Sequence, residues 1–265
     1  MWGVDVHATK VKFCGLTDPE DADAAVAAGA WALGVILWPG SPRRCRTDVA
    51  AEIAATHRRH AQIAGVFVNA TLDEVTRAAD QIGLSLLQFH GDEGPVFCGE
   101  AARRTGCRVI KAARVRSGAD IQALSAFHTD FHLLDSYRKG VPGGTGETFA
   151  WDLARSHPRD VPVILSGGLT SGNVADAIAA VRPYAVDVAS GVEDKTSHPP
   201  RKDHDKVRAF AAAVAGTAAA VGAGSRMTHA ADIQARQPDD ADAARAGEAG
   251  CRASGESAAE RRRSA

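Results

Sequence analysis

Five side chains of reactive type stand where short apolar runs give way to small or polar residues. Cys14 closes V-K-F-C ahead of Gly15, His90 follows L-L-Q-F, and Asp135 follows F-H-L-L. Asp187 lies inside A-V-D-V, and Arg43 closes S-P-R. A thiolate is a competent base or nucleophile, and a neighbouring cation lowers its pKa. Lys12, two residues before Cys14, shares its face of an extended strand. The same cysteine also reads as a small buried hydrophobe. A partly shielded carboxylic acid at Asp135 can hold a proton and act as a general acid, or cap the loop that follows. Arg43, beside Arg44 and Arg46, reads either as an anion binder or as part of a solvated basic cluster. His90 in H-G-D-E reads either as a pocket group or as a turn residue. His57, His60 and His204 show no ligand spacing and are expected at the surface.

A second kind of signal lies in V-I-L-S-G-G, 163–168, and A-V-D-V-A-S-G, 185–191. Each is an apolar run rich in β-branched residues that stops at small ones, at Gly167-Gly168 and Ser190-Gly191. Glycine lets backbone amides approach a ligand closely. Thr170-Ser171-Gly172-Asn173 then opens a helical stretch, 174–181, and a helix N-terminus beside such turns suits an anion such as phosphate. Either turn alone reads equally well as tight packing. The two together, last in an alternating chain, match the phosphate site after strands 7 and 8 of a (β/α)8 barrel.

The elements that must carry these groups follow from punctuation and periodicity. Strands are expected at 11–14, 32–37, 62–68, 84–89, 108–113 and 131–134, ahead of the two in the Gly-rich stretches. Helices follow each: 22–28 after a Thr17/Asp18 cap, one capped by Thr47-Asp48 to about His60, one ending at Ile82, one to Thr105, 118–126, 151–156, 174–181 and 203–214. Trp38-Pro39-Gly40-Ser41-Pro42 forms a shaped loop, and a long Gly-rich loop spans 136–148. Eight β/α repeats imply a parallel sheet with helices outside. An open doubly wound sheet is the rival. The repeat count and the terminal pair of turns favour a single closed (β/α)8 TIM barrel, an α/β fold. Residues 1–10 form a lead and 11–214 the barrel. Residues 215–265, rich in Ala, Gly, Ser, Arg, Asp and Glu and without aromatics, form a tail expected to stay disordered.

Composition narrows the function classes. With 31 basic and 32 acidic side chains and a formal net charge of −1, the chain offers no bias toward nucleic acid or anionic membranes. No apolar stretch near the roughly 20 residues of a membrane span is present, and Met1 to Lys10 has no apolar run of the kind a secretory leader needs. Cys14, Cys45, Cys98, Cys107 and Cys251 are odd in number and lack C-x-x-C spacing. That argues for a reducing, cytoplasmic setting and against a disulfide framework or a metal site.

Assembled in order, these pieces resemble the phosphoribosylanthranilate isomerase family of tryptophan biosynthesis over about Val11 to Phe210. K-F-C-G, S-P-R, L-L-Q-F-H-G-D-E and L-L-D with G-G-T-G-E-T-F-A-W match its pattern. So do L-S-G-G-L with Asn173-Val174, R-P-Y-A-V-D-V-A-S-G-V-E, and K-D-H-D at 202–205. Departures are Ala150 where the family has Asp, and Pro199-Pro200 after a longer 194–198 insert, which bears on the shape of the eighth loop. The resemblance implies Cys14 as general base, Asp135 as general acid and Arg43 on the anthranilate carboxylate. It implies phosphate at Gly167, Gly168, Ser190 and Gly191, with His90 and Asp187 lining the substrate pocket.

The implied reaction is a cofactor-free, metal-free Amadori rearrangement of a small phosphosugar, by a monomer or homodimer. The sister isomerase of histidine biosynthesis, or a dual-substrate form, is the nearest alternative, but that enzyme has an aspartate base where Cys14 stands. A barrel kept only for binding is a second alternative, opposed by the intact Cys14, Arg43 and Asp135.

Overall fold

The computed structural model describes residues 8–135, 147–158 and 160–218, and the side chains of 147–150 are outside that description. Eight parallel strands close into a barrel: β1 (Lys10–Cys14), β2 (Ala32–Ile36), β3 (Gln62–Phe67), β4 (Leu86–Phe89), β5 (Arg108–Arg114), β6 (Phe131–Asp135), β7 (Val163–Ser166) and β8 (Ala185–Val188). The pairing of β8 with β1, Asp187 opposite Lys12, removes both sheet edges and excludes the open doubly wound alternative.

The helices between them are α1 (Pro19–Ala27), α2 (Thr47–His57), α3 (Leu72–Ile82), α4 (Pro95–Thr105), α5 (Gly118–Ala123), α6 (Glu147–Arg155) and α7 (Val174–Val181). A final helix, α8, spans 204–218. Local chemistry explains their ends. Asp18 caps α1 through the Glu20 amide, with Pro19 in the first turn. Thr71 and Glu74 form a reciprocal capping box on α3. The cap expected from Thr47-Asp48 does not form: Thr47 is already helical, Arg46 holds the cap position without a side-chain bond, and Asp48 instead pairs with Arg46. Helix α6 begins at Glu147, four residues before the expected start. Helix α8 passes residue 214 because Phe210 and Val214 are buried and hold its last turns down. Residues 136–146, most of the stretch expected as a Gly-rich loop, and 219–265, most of the expected tail, lie outside the described residues. Two short strands, β9 (Glu193–Asp194) and β10 (Arg201–Lys202), pair antiparallel as a ribbon after the eighth strand. No helix among the described residues is long and apolar enough to cross a membrane.

Alternation along each strand sorts side chains into two cores. Phe13, Leu33, Val35, Ile63, Leu87, Leu165 and Val186 face outward and pack beneath the helices. Ala32, Ala64, Leu86, Ile110, Phe131, Leu133, Ile164 and Ala185 fill the interior, with Trp31 and Tyr184 against them. The interior positions of β2 and β3 are small, Ala32, Gly34 and Ala64, which leaves volume for the fully buried Lys12. His57, expected at the surface, is buried and reaches Asp23 at 3.0 Å, because it lies on the face of α2 that packs inward.

Candidate active site

The interior parity continues upward to the C-terminal ends of the strands, where side chains turn polar. Lys12 and Cys14 on β1, Gln88 on β4 and His90 directly after it, Leu133 and Asp135 on β6, Ile164 and Ser166 on β7, and Ala185 and Asp187 on β8 are all spaced by two. Period-two spacing therefore delivers every one of these polar groups to the same end of the same interior.

Around β1 the site is a buried charge cluster. Lys12 Nζ donates to Asp187 Oδ1 at 2.7 Å, and Ser166 Oγ donates to Asp187 Oδ2 at 3.1 Å. Cys14 is buried beside Lys12, two residues before it on the same face of β1. Burial pushes the Cys14 thiol above its ordinary 9.0, with Asp187 adding to the rise, while the charges of Lys12 and Lys202 pull the other way. Burial lowers the pKa of Lys12, but its partners, Asp187 foremost, outweigh that and hold the ammonium above its ordinary 10.5. At rest the sulfur is thus a thiol with a fixed cation against it, so a thiolate formed there finds its counter-charge in place. Gly34 on β2 makes the space: a Cβ there would lie 2.8 Å from Cys14 Sγ.

Arg43 reaches this cluster from the loop after β2. Its backbone N–H donates to Ser41 Oγ at 3.1 Å, and the Cys45 N–H returns to the Ile36 carbonyl at 2.8 Å, so the S-P-R turn is tied to the strand end. The arginine stem lies against Gly15, where any Cβ would meet its Cδ at 2.8 Å. Its guanidinium grips Glu193 with two bonds, Nε to Oε1 at 2.5 Å and one Nη to Oε2 at 2.8 Å. Lys202 Nζ donates to the same carboxylate at 3.1 Å and to the Ala189 carbonyl at 3.1 Å. Burial pushes the Glu193 carboxyl upward, yet Arg43 and Lys202 outweigh it and hold it below the usual carboxylate range. Burial dominates at Lys202, whose ammonium is displaced below its ordinary 10.5. Three basic side chains, Arg43, Lys12 and Lys202, gather around the carboxylates of Glu193 and Asp187.

Across the interior, His90 Nε2 faces Asp135 Oδ2 at 3.4 Å, and both side chains are about one-fifth exposed. Gln88 Nε2 lies 3.3 Å from His90 Nδ1. Strands β7 and β8 separate β6 from β1, so Asp135 and Cys14 approach the interior from well-separated parts of the rim. A cavity of about 420 Å³ opens beside His90, between the loops after β3, β4 and β5.

The two Gly-rich turns meet as neighbours. Gly167 and Gly168 hold φ of 98° and 66°, conformations that favour glycine. Gly191 packs against the Leu169 carbonyl so closely that no Cβ fits. Asn173 pins the β7 turn, accepting from the Thr170 amide at 2.8 Å and donating to the Gly168 carbonyl at 3.1 Å. Helix α7 starts at Val174, and a short 3-10 turn, Ser190–Val192, starts directly after β8. Both helical starts therefore open at the same corner of the barrel mouth.

The structure places Cys14, Arg43 and Asp187 in one cluster, His90 and Asp135 in a second, and Gly167, Gly168, Ser190 and Gly191 at the adjoining corner. Arg43 is no solvated cluster residue. Sequence reasoning passed over four members. Ser166 and Gln88 were open to it, lying at strand positions of the correct parity. Glu193 and Lys202 carry no such signal, because the ribbon brings them together.

Comparison with known proteins bears on the family and the fold. The family described as N-(5'phosphoribosyl)anthranilate (PRA) isomerase matches residues 11–213. An N-(5'-phosphoribosyl)anthranilate isomerase of Citrifermentans bemidjiense is 48% identical over 200 residues, 76% of this chain and 94% of that protein. The crystal structure of the phosphoribosyl anthranilate isomerase of Thermotoga maritima superposes with a TM-score of 0.70 at 35% identity, over 78% of this chain and 99% of that one. Another phosphoribosyl anthranilate isomerase, crystallised with reduced 1-(o-carboxyphenylamino)-1-deoxyribulose 5-phosphate, superposes with a TM-score of 0.66 at 33% identity, over 78% and 99% of the two chains.

Proposed function

The chain belongs to the N-(5'-phosphoribosyl)anthranilate isomerase family and catalyses that aldose–ketose isomerisation in tryptophan biosynthesis, and we propose that Cys14 is its general base and Asp135 its general acid. The observation that carries this assignment is the buried Cys14 thiol with the Lys12 ammonium fixed beside it, facing across the barrel a partly shielded Asp135.

In the proposed sequence the substrate's phosphate sits on the turns at Gly167-Gly168 and Ser190-Gly191, where the starts of two short helical segments adjoin. The anthranilate carboxylate lies on Arg43, whose guanidinium is held at the mouth by two bonds to Glu193. Asp135 gives its proton to the furanose ring oxygen, the bond from that oxygen to the first carbon breaks, and a protonated Schiff base forms. Cys14 first releases its thiol proton to water; as thiolate against Lys12 it removes the proton from the second carbon, and the electron pair of that C–H bond closes an enolamine. The enol hydroxyl proton then leaves and the first carbon gains one, giving the amino-ketone. Asp187 keeps Lys12 in place, and His90 holds Asp135.

The test follows the loss of substrate fluorescence with freshly made phosphoribosylanthranilate. Cys14→Ser and Asp135→Asn should each lower turnover by about 10²- to 10⁴-fold with little change in melting temperature. Near wild-type turnover in either variant removes its assigned role.

A further inference from the structure

Lys202 is a buried lysine to which the mechanism gives no task. It lies on β10 with its side chain 1% exposed, and its backbone is anchored on two sides. Its own N–H donates to Oδ2 of the buried Asp21, on α1, at 2.9 Å, and the next N–H, of Asp203, donates to the Val192 carbonyl at 2.9 Å. Arg201 Nε donates to the same Asp21 oxygen at 3.1 Å. From this anchored strand Lys202 Nζ reaches the Ala189 carbonyl and Glu193 Oε1, each at 3.1 Å. The first acceptor directly precedes Ser190-Gly191. The second belongs to the carboxylate that grips Arg43 through Nε and one Nη.

We propose that Lys202 is a positioning residue that couples the two ends of the substrate site, holding the phosphate turn through the Ala189 carbonyl and Arg43 through Glu193. This rests on the reading of Ser190-Gly191 as a phosphate site and of Arg43 as the carboxylate site. The Ala189 carbonyl and the Ser190 N–H belong to one planar peptide and point in opposite directions. Fixing the carbonyl therefore fixes the direction of the amide that opens the turn. That turn in turn packs on the one before it, since Gly191 lies against the Leu169 carbonyl.

The other tie works through a fork. A carboxylate paired with Nε and Nη sets the plane of the guanidinium, and Lys202 fixes that carboxylate from the side of Oε1. Without the ammonium, the Ala189–Ser190 peptide can rotate, and Glu193 and Arg43 can swing as a pair. Burying an ammonium is costly, and an apolar side chain of similar size often serves stability equally well. Stability alone therefore gives no reason for a lysine here, whereas a cross-tie needs several donors on one atom.

The experiment uses the full-length protein and two inhibitors that each suit one end, inorganic phosphate and benzoate, in the fluorescence assay. In the wild type, saturation with one should change the inhibition constant of the other by at least about threefold, since coupled sites affect each other reciprocally. Lys202→Met should raise both inhibition constants about tenfold, the worth of one hydrogen bond to a charged group, and abolish the mutual effect. KM should rise by at least about the same factor, with kcat changed less than about threefold. Glu193→Gln sets an amide donor against the arginine and cuts only the second tie. It should weaken benzoate, leave phosphate within about twofold and also abolish the mutual effect.

A lower melting temperature in Lys202→Met with both inhibition constants unchanged overturns the proposal, as does a change in only one of them. Independent inhibition in the wild type, or a mutual effect that survives Glu193→Gln, overturns it whether or not Lys202→Met folds. Arg43→Ala and Gly168→Val locate the cause of a failure. Benzoate unaffected by Arg43→Ala, or phosphate unaffected by Gly168→Val, shows that the underlying site assignment is wrong and the proposal falls with it. With both controls responding, the failure belongs to Lys202.

Discussion

Adding a single methyl group at Gly34 tests the position of the base without touching it. An ideal Cβ there lies 2.8 Å from Cys14 Sγ, 3.1 Å from Cys14 Cα and 3.1 Å from Lys12 Nζ. Comfortable carbon contacts lie at about 3.5–4.0 Å, so the sulfur must retreat by about 1 Å. Two of the three neighbours cannot yield easily. The Cα belongs to a strand paired on both sides, and Lys12 Nζ is held at 2.7 Å by Asp187. The cysteine must therefore swing toward another rotamer, away from the space where the second carbon of the sugar is proposed to lie. A displacement of about 1 Å at a reacting group costs about 10²-fold in rate, and overpacking of this kind costs about 1–3 kcal/mol. For a chain of this size that corresponds to a loss of about 2–12 °C in melting temperature. The assay is steady-state turnover beside a thermal melt, with Gly99→Ala as the control. Gly99 lies in α4, where a Cβ meets nothing within 4 Å, so that change should leave rate unaltered and raise stability slightly. In a Cys14→Ser background, Gly34→Ala should cost little further rate, because both changes disable the same group. Turnover within about threefold of wild type for Gly34→Ala would refute the claim that the Cys14 sulfur is the base.

Lys12→Met should destabilise the barrel by about 3–5 kcal/mol in urea titration, since it leaves the Asp187 carboxylate buried without its cation. Adding Asp187→Asn should recover a large part of that loss; no recovery would show that the pair is not coupled. Gly168→Val places a β-branched residue at a φ of 66° where its Cβ meets no atom of the described residues within 4 Å, so it strains the backbone and fills the proposed phosphate space. It should raise KM severely and abolish competitive inhibition by inorganic phosphate while the chain still folds. His132 donates through Nε2 to the Phe127 carbonyl at 3.0 Å and lies 2.8 Å from His157 Nε2, and burial holds it below its ordinary 6.5. Its neutral form is the one that folding favours, so its contribution is complete above about pH 6.5 and lost as pH falls through the lower folded value. The gap in melting temperature between wild type and His132→Asn should accordingly narrow from about pH 8 to about pH 5; a constant gap would exclude this linkage.

Much of this protein is legible in its residues because its signals are local. Short β-branched runs, Pro and Gly punctuation and helix caps depend on interactions within a few residues. Eight strands and the helices that cover them follow from that punctuation, to within a few residues at their ends. Period-two spacing marks Lys12 and Cys14 as sharing a face, and the strand ends mark Cys14, His90, Asp135 and the Gly-rich turns as groups at the mouth of a barrel. The misplaced boundaries have tertiary causes: buried Phe210 and Val214 carry the last helix beyond the break in composition, and Thr47 yields the cap position to Arg46.

What only the tertiary structure decides is which of these groups meet. Lys12 pairs with Asp187 because closure of the sheet sets β1 against β8 at one register, 175 positions apart in the chain. Arg43 meets Glu193, and Glu193 meets Lys202, because a two-stranded ribbon folds back over the first and second loops. The room for a buried lysine and thiol comes from Ala32, Gly34 and Ala64 on neighbouring strands, residues that carry no chemistry of their own. Charge pairing and burial act through space, and a linear pattern encodes only the neighbours along it. The sequence therefore determines which groups stand at the mouth of the barrel. The closed register determines their partners, and those partners set the protonation on which the reaction depends.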